Sequence, residues 1–400
     1  MAKDMKARSG KRAIEAQARY NLATTKYATE LAFVPEYFQG IIGKKQVTTL
    51  LALLAVVVQR VSVRSQAVGS CLADQMGVQA ASGRNRWTRF LRNPRVDPLD
   101  FLRAGIRFHA AGMRTLPVII DWTEWAGDYR YLVVSVPVGT RGIPIYVRGL
   151  SLPCEVGLQN EVENEVVAEV MTAAAACGVN VLFLADRGFR RRSLLGRLGG
   201  RGSSFVVRLC GKQLIGRKDS DVLLKDSIEE GRTLDFGWVW LGGGKKNRLN
   251  VRVVATWSQG QKEPWLLATN LNAPVAEVVS LYDRRFAGIE HAFRDTKGNR
   301  FGLQMEWGQV ANGHKLELLF CLVGLALLTW TAVGAHAQEA DPTRSFSSTT
   351  KGPGSSLAHI GQERCRNRAL PHVNSRFLKH HLPDVSFRIF PATTNGAAGK

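Results

Sequence analysis

The chain has 400 residues, 45% of them hydrophobic and 22% charged. That is enough apolar material for a sizeable core and too much length for one small domain, and it excludes a wholly disordered chain, a collagen-like repeat and a disulfide scaffold. The 54 Lys+Arg against 33 Asp+Glu give a net charge of +21, which points to a polyanionic partner, most often nucleic acid. The six cysteines show neither CxxC nor zinc-ligand spacing and read as reduced thiols of a cytosolic protein. The opening residues lack the apolar core of a secretory signal.

Residues 1–105 read as a helical, basic DNA-binding domain. A polar lead-in precedes three helical segments, VTTLLALLAVVVQR, RSQAVGSCLADQMG and RNRWTRFLRN. The third interleaves Arg84, Arg86 and Arg89 with Trp87 and Phe90. Such a helix puts its aromatics into a core and its cations toward phosphates, although an ordinary amphipathic surface helix has the same pattern. The segment before it allows a helix-turn-helix-like pair.

A different texture begins near residue 106. The runs LPVIIDWTEW, YRYLVVSVPVG and IPIYVRGLSL predict strands between turn residues. EVENEVVAEVMTAAAAC predicts a helix ended by Gly178, and VNVLFLAD predicts a short buried strand. Three strands, a helix and a strand open a mixed α/β sheet of the ribonuclease H type. Residues 203–272 are again β-rich and hold Trp238, Trp240, Trp257 and Trp265. A helix is expected from Pro274, whose missing N–H suits a first turn. The uncharged segment Leu318–Gln338 is long enough to span a bilayer, but it reads as the buried helix of a large core. The catalytic domain is expected over 106–335, followed by a Ser/Gly-rich linker and basic tail over 336–400.

In so basic a chain, carboxylates placed after apolar runs stand out. Asp121 follows LPVII and Asp186 follows VNVLFLA, while Glu290 lies in the late helix YDRRFAGIEHAFRDTK. Two acids at the ends of adjacent parallel strands, with a third from a helix across them, suit a hard divalent cation and phosphoryl transfer. Taken singly, each Asp is also an ordinary turn former or helix cap, and the Glu an ordinary surface ion pair.

Together the motifs DWTEW, LADRGF and Y-x2-R…E-x6-K, in that order from about Leu116 to Trp307, resemble the DDE transposases of the insertion-sequence-four type. The resemblance implies a ribonuclease H-like mixed sheet, a β-rich insertion between the second and third acids, and an α-helical N-terminal domain. It implies that Asp121, Asp186 and Glu290 are the catalytic, metal-binding triad for two Mg²⁺ ions, or Mn²⁺ in their place. Tyr282, Arg285 and Lys297 would hold DNA phosphates near the scissile bond. Arg187 and its arginine neighbours, directly after Asp186, fit clamping of the phosphate backbone, although a solvated helix start has the same pattern. An aromatic of the insertion would stack on a flipped base. The implied partner is double-stranded DNA, both element terminal repeats and target, engaged by a homodimer in a synaptic complex without membrane involvement, in a bacterial cytoplasm at the nucleoid. One spacing departs from the family: four residues separate Arg285 from Glu290 where the family has three. The extra residue turns Glu290 by about 100° relative to Tyr282 and Arg285 in a regular helix. A bulge at Gly288 would absorb it, or the helix starts later, or Arg284 would take the place of Arg285. The alternative reading is a catalytically inactive DNA-binding protein of transposase descent.

Overall fold

The computed structural model describes residues 31–125, 128–139, 141–217, 220–242, 248–297, 303, 313–340 and 356–366. The basic lead-in up to residue 30 and most of the expected linker and tail lie outside them.

Among the described residues five helices come first: α1 (Phe33–Tyr37), α2 (Lys44–Arg60), α3 (Ser65–Met76), α4 (Ala80–Leu91) and α5 (Pro98–Ala110). Their ends follow local chemistry. Gly77 closes α3 with a φ of 63°, a left-handed cap that costs glycine little. Asp97 caps α5 by accepting from the Leu99 N–H at 2.9 Å, with Pro98 next in the first turn.

The sheet follows. β1 (Thr115–Trp125), β2 (Tyr129–Val138) and β3 (Arg141–Ser151) form an antiparallel meander. Helix α6 (Leu158–Ala176) crosses back to β4 (Asn180–Ala185), and α7 (Arg192–Gly200) crosses to β5 (Ser204–Arg208). β4 pairs parallel with both β1 and β5. Then come β6 (Leu214–Arg217), β7 (Ser220–Leu223), β8 (Thr233–Leu241), β9 (Leu249–Thr256) and β10 (Trp265–Thr269). The ten described strands make one sheet in the order β3-β2-β1-β4-β5-β10-β9-β8-β6-β7. β5, read from sequence as the start of an insertion, belongs to the central parallel trio. The remaining β-rich segment extends the same sheet through β10.

Both faces of the parallel centre are covered, as parallel strands require. Alternate residues serve the two sides. Val118, Ile120, Phe183 and Phe205 join Val166 and Val170 of α6 on one face. Ile119, Leu182, Leu184 and Val206 meet Val278, Leu281 and Tyr282 of α8 (Val275–Lys297) on the other. β1 does not stop at Asp121, as its apolar run suggested. Its antiparallel pairing with β2 continues to Trp125, whereas its parallel pairing with β4 ends at Ile120–Ala185.

The uncharged segment forms most of α9 (Gly313–Ala340), which is followed by α10 (Leu357–Arg366). Mean hydropathy over its most apolar stretch is 2.2, enough in length and composition to cross a membrane, yet 94% of that stretch is buried inside the protein. It packs between β3 and the N-terminal helices, so Val56, Trp87, Tyr131, Val147, Phe320 and Trp330 share one core. The Trp330 indole donates to the Val58 carbonyl at 3.3 Å. The N-terminal helices therefore share their interior with the sheet and α9.

Glycines set the approach of α9 to its neighbours. A Cβ on Gly324 would overlap the Pro144 carbonyl oxygen, and one on Gly334 would overlap that of Leu357. Gly324→Ala is expected to lower unfolding free energy by at least about 2 kcal/mol through overpacking. Urea denaturation of the variant against the wild type measures it.

Candidate active site

The parallel register fixes the centre of the site. Ile120 pairs with Ala185, and Ala185 with Val207. The next residues along β1, β4 and β5 are Asp121, Asp186 and Arg208, one row across three neighbouring strands about 4.8 Å apart. This is the carboxyl end of the parallel strands, where open α/β sheets place their ligands.

Asp121 is nearly enclosed, its side chain 14% exposed. Its Oδ1 accepts from the Trp122 N–H at 3.0 Å, and its Oδ2 pairs with Arg285 Nη2 at 3.0 Å. Burial pushes its carboxyl up to about 6; Arg285 pulls the other way, and the neighbouring Asp186 adds to the rise. Asp186 is half-buried, and its Oδ1 accepts from the Gly188 N–H at 2.8 Å, capping the turn Arg187–Phe189. The capping role open in the sequence is thus filled by one of its two oxygens.

Helix α8 supplies the cation that pairs with Asp121. Arg285 is buried and faces Asp121, whereas Arg284 is exposed. Tyr282 is buried, with its ring 5.0 Å from that of Trp265 and 6.0 Å from the Arg285 guanidinium carbon. Burial raises its phenol pKa, with the Arg285 and Arg208 guanidinium groups pulling the other way. Tyr282 and Arg285 therefore both reach the acidic row. The helix is α-helical throughout Val275–Lys297, with no bulge at Gly288. Gly288 is buried instead against β3, where a Cβ would lie 3.2 Å from the Gly142 nitrogen. Residue 290 follows Arg285 by about 140° around such a helix. The side chains of Glu290 and Lys297 lie outside the described residues. Among the described residues no cluster of three potential metal-ligating side chains forms; the structure brings together Asp121 and Asp186.

The arginines after Asp186 divide their tasks. Arg187 pairs with Glu263 at 3.3 Å, and Glu263 also holds Arg208 at 2.8 Å. Arg191 turns inward. It binds Glu163 of α6 at 2.6 Å, and the same carboxylate accepts from the Trp122 indole at 2.9 Å and from Gln159 at 3.2 Å. Glu163 is 1% exposed. It links the residue after Asp121 to the segment after Asp186. Neither Glu163 nor Arg208 was singled out from sequence, though each left a signal. Glu163 keeps helical phase with Val166, Val167 and Val170, an acid on an apolar stripe. Arg208 ends an apolar run just as both aspartates do.

Of the four tryptophans in the β-rich segment, Trp238 and Trp240 are 52% and 47% exposed on β8. Trp257 donates to the Gln261 carbonyl at 2.9 Å, and Trp265 lies against Tyr282.

The basic N-terminal residues form a second feature. α3 and α4 cross at Gly69 and Gly83, so tightly that a Cβ on Gly83 would overlap the Gly69 carbonyl oxygen. Trp87 and Phe90 are buried. Arg86 and Arg89 line an open groove of about 970 Å³ together with Lys45, Asn85, Asn93 and Arg95. Arg84 lies outside that groove, over Gly69.

No family model matches the chain, and no curated protein matches it. Among solved structures it is similar to the cryo-EM structure of the piggyBac transposase synaptic complex with hairpin DNA, at 11% identity and a TM-score of 0.39. The likeness covers 94% of this chain and 87% of that one.

Two outcomes follow from this geometry. Because burial lifts Asp121, its neutral form is favoured by folding; that contribution to stability is full below the ordinary carboxylate range and is lost as pH rises through about 6. A carbon-detected NMR titration is expected to place its midpoint near 6, and Arg285→Gln should move it higher. Glu163→Ala leaves Arg191 and the Trp122 indole without their shared acceptor. It is expected to cost about 3 kcal/mol in urea denaturation, the scale of breaking a buried ion pair.

Proposed function

We propose that the chain is a DDE transposase of the cut-and-paste, insertion-sequence-four type, with a ribonuclease H-like catalytic core. It binds the ends of a mobile DNA element, cleaves phosphodiester bonds there, and joins the freed 3′ ends to target DNA. The observation that carries this reading is the pair of carboxylates, Asp121 and Asp186, on neighbouring parallel strands, with Arg285 and Arg208 beside them. Acids that hold a cation, ringed by cations that hold phosphate, are what phosphoryl transfer needs.

The residues fit a divalent metal. Asp121 and Asp186 offer hard oxygen donors on one edge, and Mg²⁺ is commonly held by one or two carboxylates with substrate phosphates completing its shell. Glu290 is the proposed third ligand, and two Mg²⁺ ions, or Mn²⁺, the proposed cofactors. When bound, they would supply activation of a water or 3′-OH nucleophile and stabilisation of the leaving oxygen.

The chain's own residues do the rest. Trp122 and Glu163 fix the backbone after Asp121, and Arg191 fixes the segment after Asp186, so both acids are held before substrate arrives. Arg285, Arg208, Arg187 and Lys297 neutralise phosphates around the scissile bond, and Tyr282 braces Arg285 and Arg208. Arg86, Arg89, Lys45 and Arg95 hold the duplex at a distance from the chemistry. The protein acts as a homodimer that pairs two element ends.

One observation favours a second reading, a catalytically inactive DNA-binding derivative. Helix α8 runs on without a bulge at Gly288, so position 290 is turned away from Arg285 relative to the family spacing.

Cleavage of duplexes bearing the element's ends, by purified protein with Mg²⁺, separates the two readings. Asp121→Asn, Asp186→Asn and Glu290→Gln are each expected to abolish cleavage and leave end binding within about threefold, because amides keep the shape and lose the metal. Near wild-type cleavage by one variant removes that residue from the triad. No cleavage by the wild type, with binding intact, establishes the inactive derivative. Binding should also weaken steeply with salt as phosphate counterions are released; a flat plot of log affinity against log salt would deny the basic surfaces their role.

A further inference from the structure

The pair between Asp121 and Arg285 joins two groups with different proposed tasks. Asp121 is a proposed cation ligand, and Arg285 a proposed phosphate contact. At 3.0 Å each offsets the other's charge. The Arg285 side chain is 8% exposed, and its Nε is buried without a hydrogen-bond partner. A guanidinium has five N–H donors in a planar fork, and a buried donor left unpaired is unfavourable until an acceptor arrives. The Tyr282 ring, 6.0 Å from the guanidinium carbon, holds the side chain on this edge of the sheet, while Arg284 is exposed.

We propose that Arg285 is an exchangeable counter-charge: it neutralises Asp121 until a divalent cation takes that carboxylate, and then turns its fork to a DNA phosphate. This rests on the reading of Asp121 as a cation ligand. A dication and a guanidinium repel each other across one carboxylate, so the metal's arrival weakens the hold on Arg285. A phosphate beside the strand ends offers the acceptor that Nε lacks, in the bidentate geometry that arginine favours. Metal and DNA thereby favour each other's binding, and by thermodynamic reciprocity each raises the other's affinity by the same factor. The site is then guarded: an isolated cation meets competition from Arg285, and full occupancy comes when both ligands are present.

The test is Mn²⁺ binding to the purified full-length protein, counted by electron paramagnetic resonance of the free ion, with and without a short duplex. Arg285→Gln removes the competing charge and is expected to bind Mn²⁺ about tenfold more tightly than the wild type without DNA. Arg285→Lys, which keeps the charge, should stay near the wild type. The duplex should tighten Mn²⁺ binding by the wild type about tenfold, and by Arg285→Gln markedly less. Unchanged or weaker Mn²⁺ binding by Arg285→Gln overturns the exchange. Asp121→Asn keeps the two readings apart. If it loses Mn²⁺ while Arg285→Gln behaves as the wild type, the metal site stands and the exchange falls. If it binds Mn²⁺ as the wild type does, the ligand reading falls and takes the exchange with it. Should Arg285→Gln fail to fold, the wild type decides: equal Mn²⁺ affinity with and without the duplex overturns the proposal.

Discussion

The parallel pairing of β4 with β1 and β5 is the constraint on which the rest of the molecule depends. A strand paired parallel on both sides must bury both faces, so helices are needed above and below. α6 and α7 are the crossovers that cover one face, and α8 covers part of the other. The same pairing ends on one row, which sets Asp121, Asp186 and Arg208 side by side. A one-residue slip in register would turn these side chains to the opposite face. Core and site are therefore specified by the same hydrogen bonds.

Two neighbouring carboxylates at the rim of an apolar core repel, and burial makes their charge harder to keep. The structure answers with cations from three directions. Arg285 comes from α8, Arg208 from β5, and Arg187 from the turn beyond β4, the last two held by Glu263. Glu163 works on the other side of the sheet, where a nearly inaccessible carboxylate gathers Trp122, Gln159 and Arg191. The acids are thus held from behind by hydrogen bonds and balanced from in front by charge.

Much of this was legible in the sequence. An apolar run that stops at a carboxylate reads as a strand reaching the surface; that holds for Asp186 at the end of β4, whereas Asp121 lies within β1, nearly enclosed, where only the parallel pairing ends. The burial of Trp87 and Phe90 followed from their spacing among arginines. Other features needed the fold. Whether Arg284 or Arg285 turns inward depends on helix phase against the sheet, which an altered spacing made ambiguous. That the β-rich segment continues the central sheet depends on β10 returning to β5, a pairing between residues about sixty apart in the chain that no local pattern records. Glu163 was hidden because one acid in an acid-rich helix looks solvated until its phase is compared with the valines around it. The acceptor that Arg285 Nε lacks is invisible in sequence altogether, since only packing reveals an unpaired donor.

The indole of Trp330 reaches a carbonyl 272 residues earlier in the chain. During synthesis the N-terminal helices emerge first, yet the surface that completes their interior arrives with α9. At about 5–20 residues per second the wait is roughly 15 to 55 s. Through that interval the apolar sides of α2 and α4 lack their final cover, which makes them natural clients for holding chaperones. The N-terminal helices therefore complete their interior only in step with the half of the chain that carries the acids.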